Sequence, residues 1–416
     1  MIRGREVSAA IVGASLLVAS RALAAKDDGS PHSLAATSTA PAPEPPTFSF
    51  RRPHGEVRAS KLEVVGYLLP QFEILSLPSA LPREKLQYGA RGTRAGFAFY
   101  GSPWTNFTYF AHFVVAPAGV EGLTLLSPTT SPSIGITLPT STQTSIDVEE
   151  ATVGYRATSW FTVKTGLMRV PFSLGQTTPI PKQMFPFRPP VTTEFQSGAD
   201  AAATGSFSLL DGRLQLHAGV MLGASLGAAN PNQTVRGPAI VASVAAHPLG
   251  AMTSNEGDES RGPLRFAVGV ASIYRHASAF DPTGYEATTF DDVRFTGWAK
   301  LAFRGAYIQG EYLRRLRTDD LSGRPSKADG GYGEAAYFQP IGDVAIGPIV
   351  RAGVLEARVD FAPRKFTSFE AGVAFFPHGH ADEPERLRIL VEYFGARLTP
   401  PTELQHEVVA QLQLEF

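Results

Sequence analysis

Cysteine is absent from the 416 residues. That excludes disulfides, thiolate metal sites, a cysteine nucleophile and a lipidated N-terminal cysteine. An excess of either charge is also lacking: 37 Lys and Arg stand against 38 Asp and Glu, a formal net charge of -1. A chain so balanced has no long-range pull toward nucleic acid. Apolar runs long enough for a transmembrane helix are missing too. The one apolar stretch of note, Val7–Ser20, is short for a membrane span. What the chain does have is glycine, 40 residues, and aromatics, 10%. Tight turns, short strands and aromatic belts use that mixture.

The N-terminus reads as an address. Arg3 and Arg5 precede the apolar stretch, and Ala22–Ala24 fits a small-x-small cleavage rule. An N-terminal anchor is the competing reading, but no strong stop-transfer flank follows. Residues 1–24 are therefore expected to be an export signal. Residues 25–53 are rich in Pro, Ala and Ser and lack periodic apolar positions, so a disordered tether is expected. Residues 54–416 form the third division.

In that division apolar residues recur with period two, the mark of strands. Over Val293–Arg304 one face holds Val293, Phe295, Leu301 and Phe303, and the other holds Arg294, Thr296, Lys300 and Arg304. Leu264–Arg275 and Arg386–Phe394 repeat the pattern. Gly205–Val220 reads as two strands joined at Asp211-Gly212, a hairpin dipeptide. The segment Glu403–Phe416 alternates to its end. A soluble sandwich and a transmembrane barrel both produce such faces. The export signal, aromatics near strand ends (Tyr100, Trp104, Tyr274, Tyr312, Phe375, Phe376) and basic residues on the polar faces favour the barrel. Membrane strands take about 9–11 residues each, which gives about 16 strands, with 14 or 18 open. The fold class is thus all-β: a transmembrane antiparallel β-barrel.

Between Met168 and Ala201 the alternation stops. Six prolines, at 171, 179, 181, 186, 189 and 190, exclude a central strand. A loop this long is functional or disordered. Met184, Phe185 and Phe187 give it anchors, and Lys182 and Arg188 give it charge. The expectation is a loop folded into the lumen, narrowing it and sorting solutes by size and charge. An ordinary surface loop is the alternative. Arg213, Arg265, Arg275, Arg294, Lys300, Arg304, Arg386 and Arg388 fall on the lumen parity. So do the acids Glu311, Glu370, Glu392, Glu403, Glu407 and Glu415, so any one lumen Arg can instead be a wall salt bridge. Lys164 has the opposite parity to Arg169, and both face inward only if a bulge intervenes.

"VKTGLMRVPFSLGQ", residues 163–176, resembles the Gly-x-x-Lys-x-Pro-Phe stretch of the phosphate-selective porin O/P family. Gly166, Arg169, Pro171 and Phe172 match it, with Arg169 in the place of the usual Lys. "GSFSLLDGRLQLHAGVMLG", "GGYGEAAYFQP", "GVAFFPHGHADEPERLRILVEYF" and "VVAQLQLEF" are similar to later family segments in the same order. Two departures stand out: Arg91 and Arg94 are separated where the family often has a tandem pair, and Leu167 replaces a Gln. The resemblance implies a 16-stranded porin of the outer membrane of a Gram-negative bacterium, trimeric, with Arg169 at the constriction. With Lys182 and Arg188, that residue makes up the expected site for small anions, phosphate or polyphosphate among them. Phe416 resembles the terminal signal read by the outer-membrane assembly machinery. A general or sugar-permeable porin, or a non-channel barrel, remains open. No catalytic constellation, cofactor motif or assignable metal set is found; His378 and His380 sit in a Pro/Gly/acidic turn.

Overall fold

The computed structural model describes residues 47–48, 60–76, 86–104, 106–117, 144–195, 198–223, 234–250, 252, 256–258, 261–280, 286–319, 325–359, 362–377, 386–399 and 403–415. The expected export signal, His378, His380 and Phe416 lie outside them. So does the tether, apart from Thr47–Phe48, which pair with Lys61 and Ser60.

Sixteen antiparallel strands close on themselves. They are β1 Ser60–Ser76, β2 Leu86–Trp104, β3 Phe107–Pro117, β4 Thr144–Arg156, β5 Phe161–Arg169, β6 Ala199–Leu209 and β7 Leu214–Met221. β8 is made of Thr234–Arg236 and Ala239–Ala246, which both pair with β9, Arg265–Phe280. β10 Glu286–Phe303 and β11 Ala306–Asp319 follow. β12 is made of Pro325–Tyr337 and Gln339–Ile341, which both pair with β13, Val344–Val359. β14 Ala362–Phe376, β15 Arg386–Thr399 and β16 Glu403–Glu415 complete the wall. β16 then pairs with β1, Val409 opposite Glu73. Closure leaves no edge with unpaired backbone groups, which is what lipid requires.

The period-two faces sort as the sequence predicts. On β16, Leu404, Val408 and Leu412 are exposed, and Gln405, Glu407, Gln411 and Gln413 are buried. On β13, Val350 and Val354 are exposed while Ile349, Arg351 and Leu355 are buried. The exposed apolar residues recur all round the outside, a surface suited to lipid. The inward positions hold the buried polar side chains and, on β11–β15, apolar ones as well.

One rim carries tight turns. In the β6–β7 turn, Leu210, Asp211 and Gly212 all take positive φ. In the β10–β11 turn, Arg304 and Gly305 do the same. The opposite rim carries the longest connections, 118–143 and 170–198, beside short ones such as 360–361. Two longer connections, 247–264 and 377–385, break this division and leave the turn rim.

Candidate functional site

The connection from β5 to β6 enters the barrel. The chain turns at once after Arg169, the Phe172 N–H donating to the Val170 carbonyl over 2.8 Å. It forms a short helix α1, Leu174–Thr177, a 3-10 turn, Ile180–Lys182, and a second short helix α2, Pro190–Thr193. Proline stands at 179, 189 and 190 around these turns, where its fixed φ fits and no N–H is lost from a ladder.

Apolar side chains hold the loop against the wall. Phe185 and Met184 pack with Tyr307, Phe338, Ile349, Phe376 and Leu390. Phe172, Val191 and Phe195 pack with Met221, Leu313, Leu355 and Phe366. Ile180 meets Tyr67 and Leu69. Each large side chain so covered contributes on the order of 1.5–3 kcal/mol. The wall makes room for them: a Cβ on Gly330 or Gly353 would lie 2.7 Å from a methyl of Val191.

Polar clamps finish the job. The buried Glu311 carboxylate accepts the Leu174 N–H at 2.9 Å, the Gly175 N–H at 3.2 Å and the Ser173 hydroxyl at 3.0 Å. Thr296 donates to it at 2.7 Å. Arg294, held by Asp292 at 2.6 Å, donates to the Phe195 carbonyl at 2.9 Å. Arg315 donates to the Glu194 carbonyl at 3.0 Å and pairs with its carboxylate at 2.8 Å. Burial pushes the Glu194 carboxyl above the ordinary carboxylate range, outweighing the opposing pull of Arg315 and Arg294. Arg351 pairs with Glu370, donates to the Phe187 carbonyl at 3.0 Å and lies 4.2 Å over the Phe185 ring. Gln413 donates to the Pro181 carbonyl at 2.5 Å.

A second segment meets the loop from the turn rim. The Glu256 N–H donates to the Lys182 carbonyl at 2.9 Å, and its carboxylate accepts the Met184 N–H at 2.8 Å. Asp258 pairs with Arg265 and accepts the Gly305 N–H at 2.8 Å.

The loop therefore covers the inner surface of β9–β16. Arg275, Arg294, Lys300 and Arg388, predicted to line the pore, do face inward but lie 4–9% exposed. Arg275 lies 3.6 Å from Asp200, and Arg388 donates to Gln413. They and Arg265 are wall and loop supports, because the loop takes the space that water would fill. Arg213 and Arg304 are exposed residues of the β6–β7 and β10–β11 turns. Their alternation carried one residue too far, past the strand ends. Arg386 starts β15, with its side chain outside the described part.

The water-reachable charges lie on the other side, between the loop and β3–β7. Arg169 pairs with Glu149, each side chain 20% exposed. His112 is 3.1 Å from the same carboxylate. Glu149 is the extra residue of a β-bulge, since Val148 faces Phe113 and Glu150 faces His112. Arg169 also donates to the Gln176 carbonyl at 3.4 Å. Arg188 donates to that same carbonyl at 2.7 Å and to the Gly175 carbonyl at 2.5 Å. Two of the three expected constriction residues thus converge at the end of α1. Lys182 is partly exposed in the 3-10 turn, held apart from them by its contact with Glu256.

Lys164 is exposed and lies level with Gly154, Thr204 and Gly219, the inward row of β4, β6 and β7. It and Arg169 both reach the lumen, although their parities differ. The bulge is on β4; on β5 Gly166 takes a positive φ between the two residues, and Arg169 ends the strand. Sequence parity thus missed Lys164, and it missed Glu311 and Glu256 as loop anchors. A lone acid on a polar face carries no signal for the loop amides it will accept.

No family model matches the chain, and no curated protein matches it in sequence. The phosphate-selective porin O/P likeness therefore stays one of motifs. Solved structures do match. The outer membrane channel DcaP of Acinetobacter baumannii superposes with a TM-score of 0.52 at 12% identity, covering 88% of this chain and 99% of that one. An anion-selective porin from Comamonas acidovorans gives 0.51 at 11% identity, covering 86% and 100%. A loop-deletion form of OmpT, an outer membrane protein of Vibrio cholerae, gives 0.51 at 11% identity, covering 86% and 99%. The fold is that of the 16-stranded barrels of the Gram-negative outer membrane.

Proposed function

We propose that this chain is an outer-membrane porin passing small anions by passive diffusion, assembled as a homotrimer. The observation that carries the reading is the charge left in contact with water beside the loop. Lys164, Arg169 and Arg188 stand there against Glu149 and Glu150, and Lys182 is partly exposed farther along the loop. Three basic groups against two acidic ones, with Lys182 apart from them on the same loop, favour anions in a narrow lumen. Converging Arg169 and Arg188 offer planar N–H forks, which suit phosphate and carboxylate. The fold's likeness to an anion-selective porin supports the reading.

Phosphate is the finer proposal, supported by the motif around Arg169. Conductance in KCl titrated with inorganic phosphate tests it. Saturable block of chloride current is expected. Additive current with no block leaves a general small-anion porin. That broader porin is the second reading, favoured by Glu149, which already occupies Arg169.

A further inference from the structure

The outward face of β11–β15 carries a charged row that the channel does not use. On β13 the outward residues Val350 and Val354 are exposed and apolar, and Glu356 and Arg358 follow at the loop rim. The aromatics Tyr312, Phe369 and Tyr393 mark the same boundary on β11, β14 and β15. Immediately beyond it come Arg314, Lys327, Arg358, Lys365 and Arg397, opposed among the described residues by Asp329 and Glu356. Asp329 is shared: Lys327 lies 2.7 Å from it, Arg314 3.6 Å, and Tyr312 donates to it at 2.8 Å. Glu356 is taken by Lys365 at 3.0 Å. Among the described residues, Arg358 and Arg397 have no ion-pair partner.

The register sharpens the point. Lys327 and Arg358 stand directly opposite each other on β12 and β13, and both are exposed on the outer face. Like charges at facing cross-strand positions repel, and the Asp329 carboxylate beside Lys327 is shared with Arg314, so it offsets the repulsion only in part. A multiply charged anion between them removes the repulsion. The row sits just past the end of the apolar band, where the headgroups of the surrounding lipid lie. Arg supplies the paired N–H groups that a phosphate monoester accepts.

We infer that the loop-rim face of β11–β15 binds the phosphate groups of a phosphorylated lipid of the outer leaflet. The assignment does not depend on what crosses the lumen. It goes beyond the channel reading and rests only on the barrel's place in the outer membrane.

Binding of bisphosphorylated lipid A to the detergent-solubilised full chain, read as lipid retained through gel filtration, tests it. The chain should retain this lipid at least tenfold better than its dephosphorylated form, and high salt should release it. The variant K327Q/R358Q/R397Q should lose at least tenfold in retention while its single-channel conductance in KCl stays unchanged, since all three side chains lie outside the barrel. Equal retention of the dephosphorylated lipid overturns the assignment, as does a folded variant that binds like the parent. Displacement of the lipid by an equal concentration of inorganic phosphate makes the site one for free anions and overturns the lipid as its ligand. If the variant does not fold, the comparison of the two lipids and the phosphate competition still decide.

Discussion

Glu311 shows how one side chain fixes a loop. Three donors of the loop and one of the wall converge on it, away from water. Replacing it by Ala strands those groups, at about 1–3 kcal/mol for each one left unpaired. E311A is therefore expected to lower the unfolding midpoint and raise single-channel current noise as the start of α1 comes loose. E311Q keeps one acceptor and should fall between. Glu194 makes a second case. Its folded carboxyl titrates above the ordinary range, so it favours the folded state while protonated, and that contribution fades as pH climbs through the raised value. E194Q should match the parent chain in urea resistance at pH 4 and exceed it at pH 8. A parent advantage at pH 8 would mean that the ion pair with Arg315 outweighs burial. Neither role is legible in the sequence. Parity shows that Glu311 points inward, but not that backbone N–H groups from 136 residues away will meet it.

At the scale of elements, the loop was the most legible feature. Its prolines forbid a strand, and its aromatic anchors require something to pack on. Its extent, 170–198, differs little from the break expected between Met168 and Ala201. Hidden from the sequence was how much wall it covers, because that depends on the small residues facing it. Gly330 and Gly353 lie on separate strands and seat one side chain, Val191. G353V should push Val191 and α2 away and raise conductance, with the barrel still folded on a heat-modifiability gel. Replacing residues 172–194 by a short Gly-Ser link should raise conductance several-fold and abolish ion selectivity. Unchanged conductance after that excision would show that the loop does not set the passage. One wall strand also went unread. Ala239–Ala246 is all small or apolar apart from Ser243, so its two faces give no contrast for a period to reveal. The segment holding Glu256 carries no period either, and its meeting with Lys182 is purely tertiary.

The whole molecule follows from two requirements. Lipid outside demands apolar residues at every second position, and a backbone with no free edge demands closure. Both were readable in the alternation that runs to the end of β16. The lumen is another matter. Alternation marks which charges face inward, but cannot divide those sealed beneath the loop from those that meet water. That division removes the inward Arg and Lys of β9–β16 from the expected pore lining, leaves Arg169, Lys182 and Arg188 as the candidate site, and adds Lys164. The zero-current potential of the purified channel in a planar bilayer, under a tenfold KCl gradient, tests this most directly. The account predicts a potential on the chloride side of zero that shifts toward potassium in K164E/R188E. A potassium-selective potential in the parent channel, or one indifferent to those substitutions, would contradict it.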